Sequence, residues 1–308
     1  MSLLNPQDRT IFAYNAHAVG FGGRVDMPGA DILPSQAAVS LAQSGGEGYV
    51  TVRNFSYKGI ITFDEASAYV AGSEETGADG VRVFNTVSSV TIRNLNIANM
   101  VYVEHLNARL TSRHPEWEYR PNGNGGGRHL IGMPRSEGDI TFEGSFISGL
   151  SIAGERVSVT LDPLTSCATY ETYSGEVREQ STAASFSGTA ALTVAEQAAW
   201  KDWVASRARK RPKDYRKVKD VIVTSLVKDD VFTTSIPDAD ADDRAYGNHV
   251  FRTGNVIHVR EFGKIYVAET IIRPSQRRLG LLRFDLGCAF CGDASAGHVE
   301  GNGTPIGP

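Results

Sequence analysis

Two stretches of the chain carry nearly the same pattern of alternating apolar and small polar residues. One, at residues 94–99, follows the run 90–92, and the other, at residues 149–154, follows the run 140–142. A period of two residues is typical of a β-strand with one buried face and one wet face. Asn and Gly at the ends of both stretches favour tight turns. The pattern predicts extended strands that pair side by side.

Similar alternation recurs at residues 11–25, 47–71 and 264–272, and Lys58 and Gly59 predict a tight loop between two strands. The chain has 308 residues and 32 glycines, which suits a β-rich domain with many corners. We therefore expect a mainly β fold, a large antiparallel β-sandwich or a related β architecture. A single β-rich domain is expected to span residues 1–308.

One α-helix is expected inside this β fold, at about residues 193–210. Thr193 and Glu196 have the spacing of a capping box, and Trp200 and Trp203 fall three apart on one helix face. The helix belongs to a basic insertion at about residues 192–217. Its dense positive charge and two indoles predict contact with an anion or a membrane surface, and a solvated helix end is the alternative. The residues of this predicted contact are Trp200, Trp203, Arg207, Arg209, Lys210, Arg211 and Lys213.

A long loop rich in Gly and Pro is expected at about residues 111–138, and a mobile tail at about residues 297–308. Long loops inside compact domains are often functional or disordered, and a plain connection between strands is the alternative. The side chains in and beside this loop are the best candidates for ligand binding. They are His114, Trp117, Tyr119, Arg120, Arg128 and His129.

Two clusters have ligands of the kind that metals take. Asp238, Asp240 and Asp242 resemble the start of a calcium loop, but the EF-hand requirement for Gly and Glu at later positions is not met. A looser Ca²⁺ site and a solvated acidic loop both stay open. Zinc is the second candidate, through Cys288, Cys291 and His298 together with the distant Cys167. A disulfide and free thiols are the alternatives, and no other cofactor is expected.

Composition and motifs exclude several classes of protein. A net charge of −4 gives no general attraction to nucleic acid, so no nucleic-acid partner is expected. The sequence has no run near the ~20 apolar residues of a transmembrane helix. It also lacks a phosphate-binding loop, a dinucleotide fingerprint and a nucleophile elbow. The polar N-terminus shows no signal peptide, which leaves the cytoplasm open as a location.

The chain resembles the bacterial family called choice-of-anchor P, whose members are β-rich surface or secreted proteins. The matching stretches are residues 88–110, 147–154 and 263–269, together 38 of the 308 residues. The resemblance implies a non-catalytic, surface-associated or extracellular protein and supplies no catalytic residues. The basic helical segment is an insertion relative to this pattern.

We therefore expect a non-enzymatic binding or structural protein. Its partner would be a glycan or other polymer, an anionic surface, or further copies joined as an oligomer or filament through β-strand edges. One alternative is a β-rich membrane-binding or pore-forming protein. A second alternative is a polysaccharide-active enzyme on a β scaffold.

Overall fold

A computed structural model describes most of the chain outside one long central segment. The described residues are 11–26, 30–77, 80–116, 119–121, 128–130, 138–162, 222–227, 233–234, 250–253, 255–273, 276–287 and 291–306. Within them the chain forms strands and turns, and none of these residues belongs to a helix long and apolar enough to cross a bilayer.

Nineteen strands make up this part of the molecule. Their bounds are β1 Ile11–Val25, β2 Asp31–Ser40, β3 Gly46–Tyr57, β4 Ile61–Thr76, β5 Arg82–Ile97, β6 Val101–Pro115, β7 Tyr119–Pro121, β8 Arg128–Leu130, β9 Asp139–Thr141, β10 Phe146–Ser148, β11 Leu150–Ile152, β12 Glu155–Ser158, β13 Ile222–Ser225, β14 Thr233–Thr234, β15 Val250–Thr253, β16 Val256–Val259, β17 Gly263–Arg273, β18 Gln276–Leu286 and β19 Gly292–Ile306.

The strands form two antiparallel sheets packed face to face. Sheet 1 has the order β15-β16-β17-β18-β19-β1-β2, with β13 also on β17. Sheet 2 has the order β14-β12-β11-β6-β5-β4-β3, with β9 and β10 also on β6. The strands β7 and β8 form a separate hairpin. The predicted mainly β, sandwich-like fold is confirmed, whereas the helix expected at 193–210 lies outside the described residues.

One hydrophobic core fills the space between the sheets. Burial alternates along the strands, so every second side chain of β4, β5 and β6 points inward. Phe63 and Ile92 of sheet 2 and Phe21 and Phe284 of sheet 1 are at most 2% exposed and belong to the same core cluster. Burial of this apolar surface is the main favourable contribution to folding.

Three hairpin loops explain the repeated sequence. Both central residues have positive φ in the turns Lys58–Gly59, Ala98–Asn99 and Ala153–Gly154, as type I′ turns require. Neighbouring loops are hydrogen-bonded, because the Ala98 amide donates to the Ile60 carbonyl at 2.6 Å and the Ala153 amide donates to the Met100 carbonyl at 2.7 Å. The similar stretches at 94–99 and 149–154 are therefore equivalent hairpin ends. The loop predicted at Lys58 and Gly59 is also confirmed.

In each sheet, residues with the left-handed backbone conformation (positive φ) form a line that runs across the strands. We call it the transverse line of left-handed residues. In sheet 2, Asn54 of β3, Asn94 of β5 and Gly149 beside β6 have φ near +55°, on alternate strands. The pairing has the same register on both sides of the line, since Arg53 faces Glu65 and Phe55 faces Phe63.

In sheet 1 the corresponding residues are Ala37 of β2, Gly297 of β19 and Ala268 of β17. A left-handed residue places two consecutive side chains on one face. Val267 and Ala268 are accordingly both buried in sheet 1, whereas Arg53 and Asn54 are both exposed in sheet 2.

The structure corrects two predicted irregular segments. The loop expected at 111–138 begins later, because β6 continues to Pro115. The segment between β6 and β9 also contains the two short strands β7 and β8. The tail expected to be mobile from residue 297 belongs to β19, which pairs with β18 on one side and β1 on the other. Its glycines permit close packing, since a Cβ on Gly303 would lie 2.1 Å from the Phe12 ring.

Candidate functional site

A groove of about 740 Å³ lies at one end of sheet 2, where β9 joins the edge of β6. We call it the β6 groove. The cross-strand register brings Ser73, Asn85, Arg113 and Asp139 into one row across β4, β5, β6 and β9. The next row contains Val87, Thr111 and Thr141, and Glu75 also lines the groove. Four strands that are distant in sequence therefore contribute to the groove.

Arg113 and Asp139 are the two charged side chains that face each other across this groove. Both residues are exposed, and neither side chain makes a hydrogen bond or an ion pair within the described residues. A guanidinium offers five donors in a planar fork, and a carboxylate offers two acceptor oxygens. The groove thus presents donors and acceptors side by side that can form hydrogen bonds with a polar ligand.

The outer face of sheet 1 has a different character, because its charged side chains bind one another. Arg283 makes two hydrogen bonds of 3.0 Å to Glu269 and one of 2.8 Å to Asp285, and it lies 3.5 Å from the Tyr266 ring centre. These partners use the hydrogen-bonding capacity of Arg283 within the protein. The β6 groove, where Arg113 and Asp139 make no such bonds within the described residues, is therefore the better candidate for binding.

Glu300 is at the centre of a second cluster on sheet 1. It accepts hydrogen bonds from Gln276 and, at 2.9 Å, from Arg278 Nε, and His298 Nε2 lies 3.9 Å from its carboxylate. Burial by itself would raise the pKa of Glu300. Hydrogen bonds and positive charge from His298 and Arg278 outweigh that effect and lower its pKa to about 2.

His17 connects this cluster to the edge of the sheet. Its Nδ1 lies 2.6 Å from the Ser40 hydroxyl, and its ring centre lies 6.4 Å from that of His298. Burial and the neighbouring His298 lower the pKa of His17, more than the charge of Glu300 raises it. A neutral imidazole bonded to a hydroxyl resembles part of a nucleophilic site. Glu300 does not complete such a site, because its described hydrogen bonds are to Gln276 and Arg278 and not to His17.

His114 lies in the interior, one residue after Arg113 on β6. It is 1% exposed, its ring packs against Phe12, and its Nε2 donates to Asn302 Oδ1 at 2.6 Å. Burial lowers the pKa of His114, although the hydrogen bond to Asn302 and the charge of Asp139 act in the opposite direction. His114, proposed from the sequence as a ligand contact, therefore packs between the sheets and joins sheet 2 to β19.

The other predicted ligand residues are only partly described. Tyr119 and Arg120 lie on β7, opposite Leu130 and His129 of β8, and Arg128 begins β8. Trp117 lies outside the described residues, as do all seven residues of the predicted anion or membrane contact. The candidate Ca²⁺ ligands Asp238, Asp240 and Asp242 lie outside them as well. A role for any of these residues stays a prediction.

The predicted zinc site is corrected for the part that the structure describes. Cys291 directly precedes β19 and His298 lies within it, so an extended chain separates them by roughly 20 Å. One metal ion cannot bind both residues, because zinc ligands lie about 2.0–2.3 Å from the metal. Cys291 is a free thiol, and the described residues contain no group of three or more His, Cys, Asp or Glu side chains suited to a metal. Cys288 and Cys167 lie outside the described residues.

Sequence reasoning missed the residues that line the β6 groove. Arg113 lies inside the loop predicted at 111–138, but the local sequence does not single out Ser73, Asn85 or Asp139. Their proximity depends on the pairing of β4, β5, β6 and β9. A search for polar residues at the ends of long alternating runs could have identified Asn85 and Arg113, but not their partners.

These features define an antiparallel two-sheet β-sandwich with a polar groove on the outer face of one sheet. The family model described as "Domain of unknown function (DUF8256)" matches residues 12–273, and the chain belongs to this family. The match runs from β1 to the end of β17, and β18 and β19 complete sheet 1 between these two strands. Neither a curated protein nor a solved structure matches the chain.

Proposed function

We propose that the protein is a non-catalytic binding protein whose β6 groove takes a hydroxyl-rich polymer, a glycan. The observation that carries this proposal is the pair of exposed charges Arg113 and Asp139, which make no hydrogen bond or ion pair within the described residues and are set among amide and hydroxyl side chains. Each sugar hydroxyl is both a donor and an acceptor, so it suits a surface that offers both kinds of group. The groove volume lies within the range of about 300–1,000 Å³ that ligand sites usually have.

A second depression on the same strand favours a polymer over a small sugar. It has a volume of about 650 Å³, and its lining includes Tyr102, Glu104, Ser151 and Arg156. Tyr102 and Arg113 lie eleven residues apart on β6, a distance of roughly 35 Å in extended chain. Asn107, Arg109 and other outward side chains of β6 lie between them. One long chain of sugars could contact both depressions.

A glycan array followed by titration calorimetry with the best polysaccharide tests the proposal. Arg113→Ala and Asp139→Ala should each weaken binding about tenfold or more, because each removes charged hydrogen bonds to the ligand. Arg260→Ala is the matched control, since Arg260 is an exposed arginine in the turn between β16 and β17 of sheet 1 and lines neither depression. Absence of binding on the array, or equal affinity in all variants, would overturn the proposal.

The surface location implied by the choice-of-anchor P resemblance stays a prediction. The membrane-binding alternative rests mainly on residues 165–213, which lie outside the described residues. The enzymatic alternative gains no support from the β6 groove, because the described residues that line it include no nucleophile hydrogen-bonded to a base.

A further inference from the structure

Within the described residues, the two sheet orders end in β15 and β2 and in β14 and β3, and the short strands β9, β10 and β13 are also paired on one side only. β14 and β15 have only two and four residues. β2 contains Pro34 and the left-handed Ala37, features that discourage pairing with another chain. β3 is different, because its pairing with β4 is unbroken from Gly46 to Arg53 and contains no proline. No segment of the described chain pairs with the other side of β3.

Side chains of β3 also leave apolar surface uncovered. Val50 and Val52 point toward the core but are only partly buried. On the opposite face, Tyr49 is 66% exposed. An additional strand beside β3 would cover part of this surface and would satisfy the backbone groups that a sheet edge leaves unpaired.

We infer that a second copy of the chain pairs with this edge, β3 against β3 in antiparallel orientation, centred on Val50. In this register Val50 faces its own copy, Tyr49 faces Thr51, and Glu47 faces Arg53. A shift by one residue would place inward side chains opposite outward ones, so only shifts by two residues keep both faces intact. The interface is isologous and closes as a two-fold dimer.

Charge selects this register among those that preserve the faces. Glu47 and Arg53 are the only charged residues from Gly46 to Arg53. Glu47 makes no hydrogen bond or ion pair within the described residues. Arg53 binds Glu65 through Nε at 2.8 Å, and its side chain is 70% exposed, so its terminal nitrogens are accessible to a second carboxylate. Pairing centred on Val50 forms the Glu47–Arg53 contact twice, whereas a shift by two residues loses both.

The dimer has a consequence for the outer face of sheet 2. A two-fold axis perpendicular to the sheet joins the two copies into one continuous sheet with both outer faces on the same side. The β6 grooves of both copies then face the same direction. This arrangement does not depend on the glycan proposal, because it rests on β3 alone.

Sedimentation velocity of the full chain over the micromolar range tests for the dimer, and a strict monomer would overturn the inference. Cross-linking then tests the register. Val50→Cys should form a disulfide-linked dimer under mild oxidation, since residue 50 faces itself. Val52→Cys is the matched control on the same strand and face, and it should cross-link much less. Equal or stronger cross-linking of the control would refute the register.

Charge reversal provides an independent measurement. Glu47→Arg and Arg53→Glu should each weaken dimerisation about tenfold, because each places like charges opposite one another twice. The double variant should recover most of the affinity. Circular dichroism checks that every variant remains folded, and a double variant weaker than both single variants would count against the proposed pairing.

Discussion

Glu300 should make the stability of the protein strongly dependent on pH in the acid range. The proposed change is Glu300→Gln, which keeps the shape of the side chain and removes its charge. The carboxylate is bound by Arg278 and Gln276 and lies near His298. The amide can replace only part of these interactions, so the variant should be less stable than the parent at neutral pH.

The size of the effect follows from the pKa of Glu300. That pKa is about 2 in the folded protein and 4.5 in the absence of the fold. At about 1.4 kcal/mol per pKa unit, the difference corresponds to about 3 kcal/mol. Solvent reaches this outer face of sheet 1 and screens part of the interaction, so we expect a loss of about 1–3 kcal/mol.

The sign of the pH dependence follows from the lowered pKa. The contribution is complete above about pH 5, where the carboxylate is charged in both states, and it is lost as the pH falls toward about pH 2. Urea unfolding of the parent and of Glu300→Gln should therefore differ most near neutral pH and converge in acid. Glu143→Gln, which removes an exposed carboxylate, controls for the change in net charge.

A constant difference between the parent and Glu300→Gln at all pH values would refute this reasoning. It would mean that the substitution acts through packing or a lost hydrogen bond and not through ionisation. Equal stability at neutral pH would be a second contradiction, since the cluster would then contribute nothing to the folded state.

Two further changes test packing and loop geometry. Gly303→Ala should lower the free energy of unfolding by about 1–3 kcal/mol, because the added Cβ would lie 2.1 Å from the Phe12 ring. The control Gly280→Ala should have little effect, since no atom lies within 4 Å of its added Cβ. Equal losses for the two variants in urea unfolding would contradict this prediction. Ala98→Asn should raise the free energy of unfolding by about 0.5 kcal/mol and the melting temperature slightly, because Asn tolerates the left-handed φ of +53° better than Ala. A lower melting temperature in a calorimetric scan would contradict this prediction.

Alternation of apolar and polar residues was sufficient to predict the fold class, because a half-buried strand leaves that pattern in the sequence. It also identified the loop at Lys58 and Gly59. It failed for the C-terminal strand, because Gly301 and Gly303 have the composition of a loop. Contact with Leu110 of the other sheet and with Phe12 of the neighbouring strand β1 requires glycine at these two positions, and local sequence does not reveal such contacts.

The candidate site was less predictable than the fold. Asp139 is 26 residues from Arg113 in sequence, and the two meet only because β9 pairs with β6. Asn85 and Ser73 join them through two further strand pairings. Local sequence carries no record of such register, which is set by the packing of the whole inner face.

The transverse line of left-handed residues requires neighbouring strands to have matching numbers of residues between the hairpin tip and the line. Deleting one residue from β5 would move Asn94 away from its place between β4 and β6, and an adjacent strand could compensate only by changing length as well. Insertions and deletions should therefore be tolerated at the hairpin tips and rejected inside the strands. Over evolutionary time, homologous chains should diverge in their loops while the number of residues between each tip and this line stays constant.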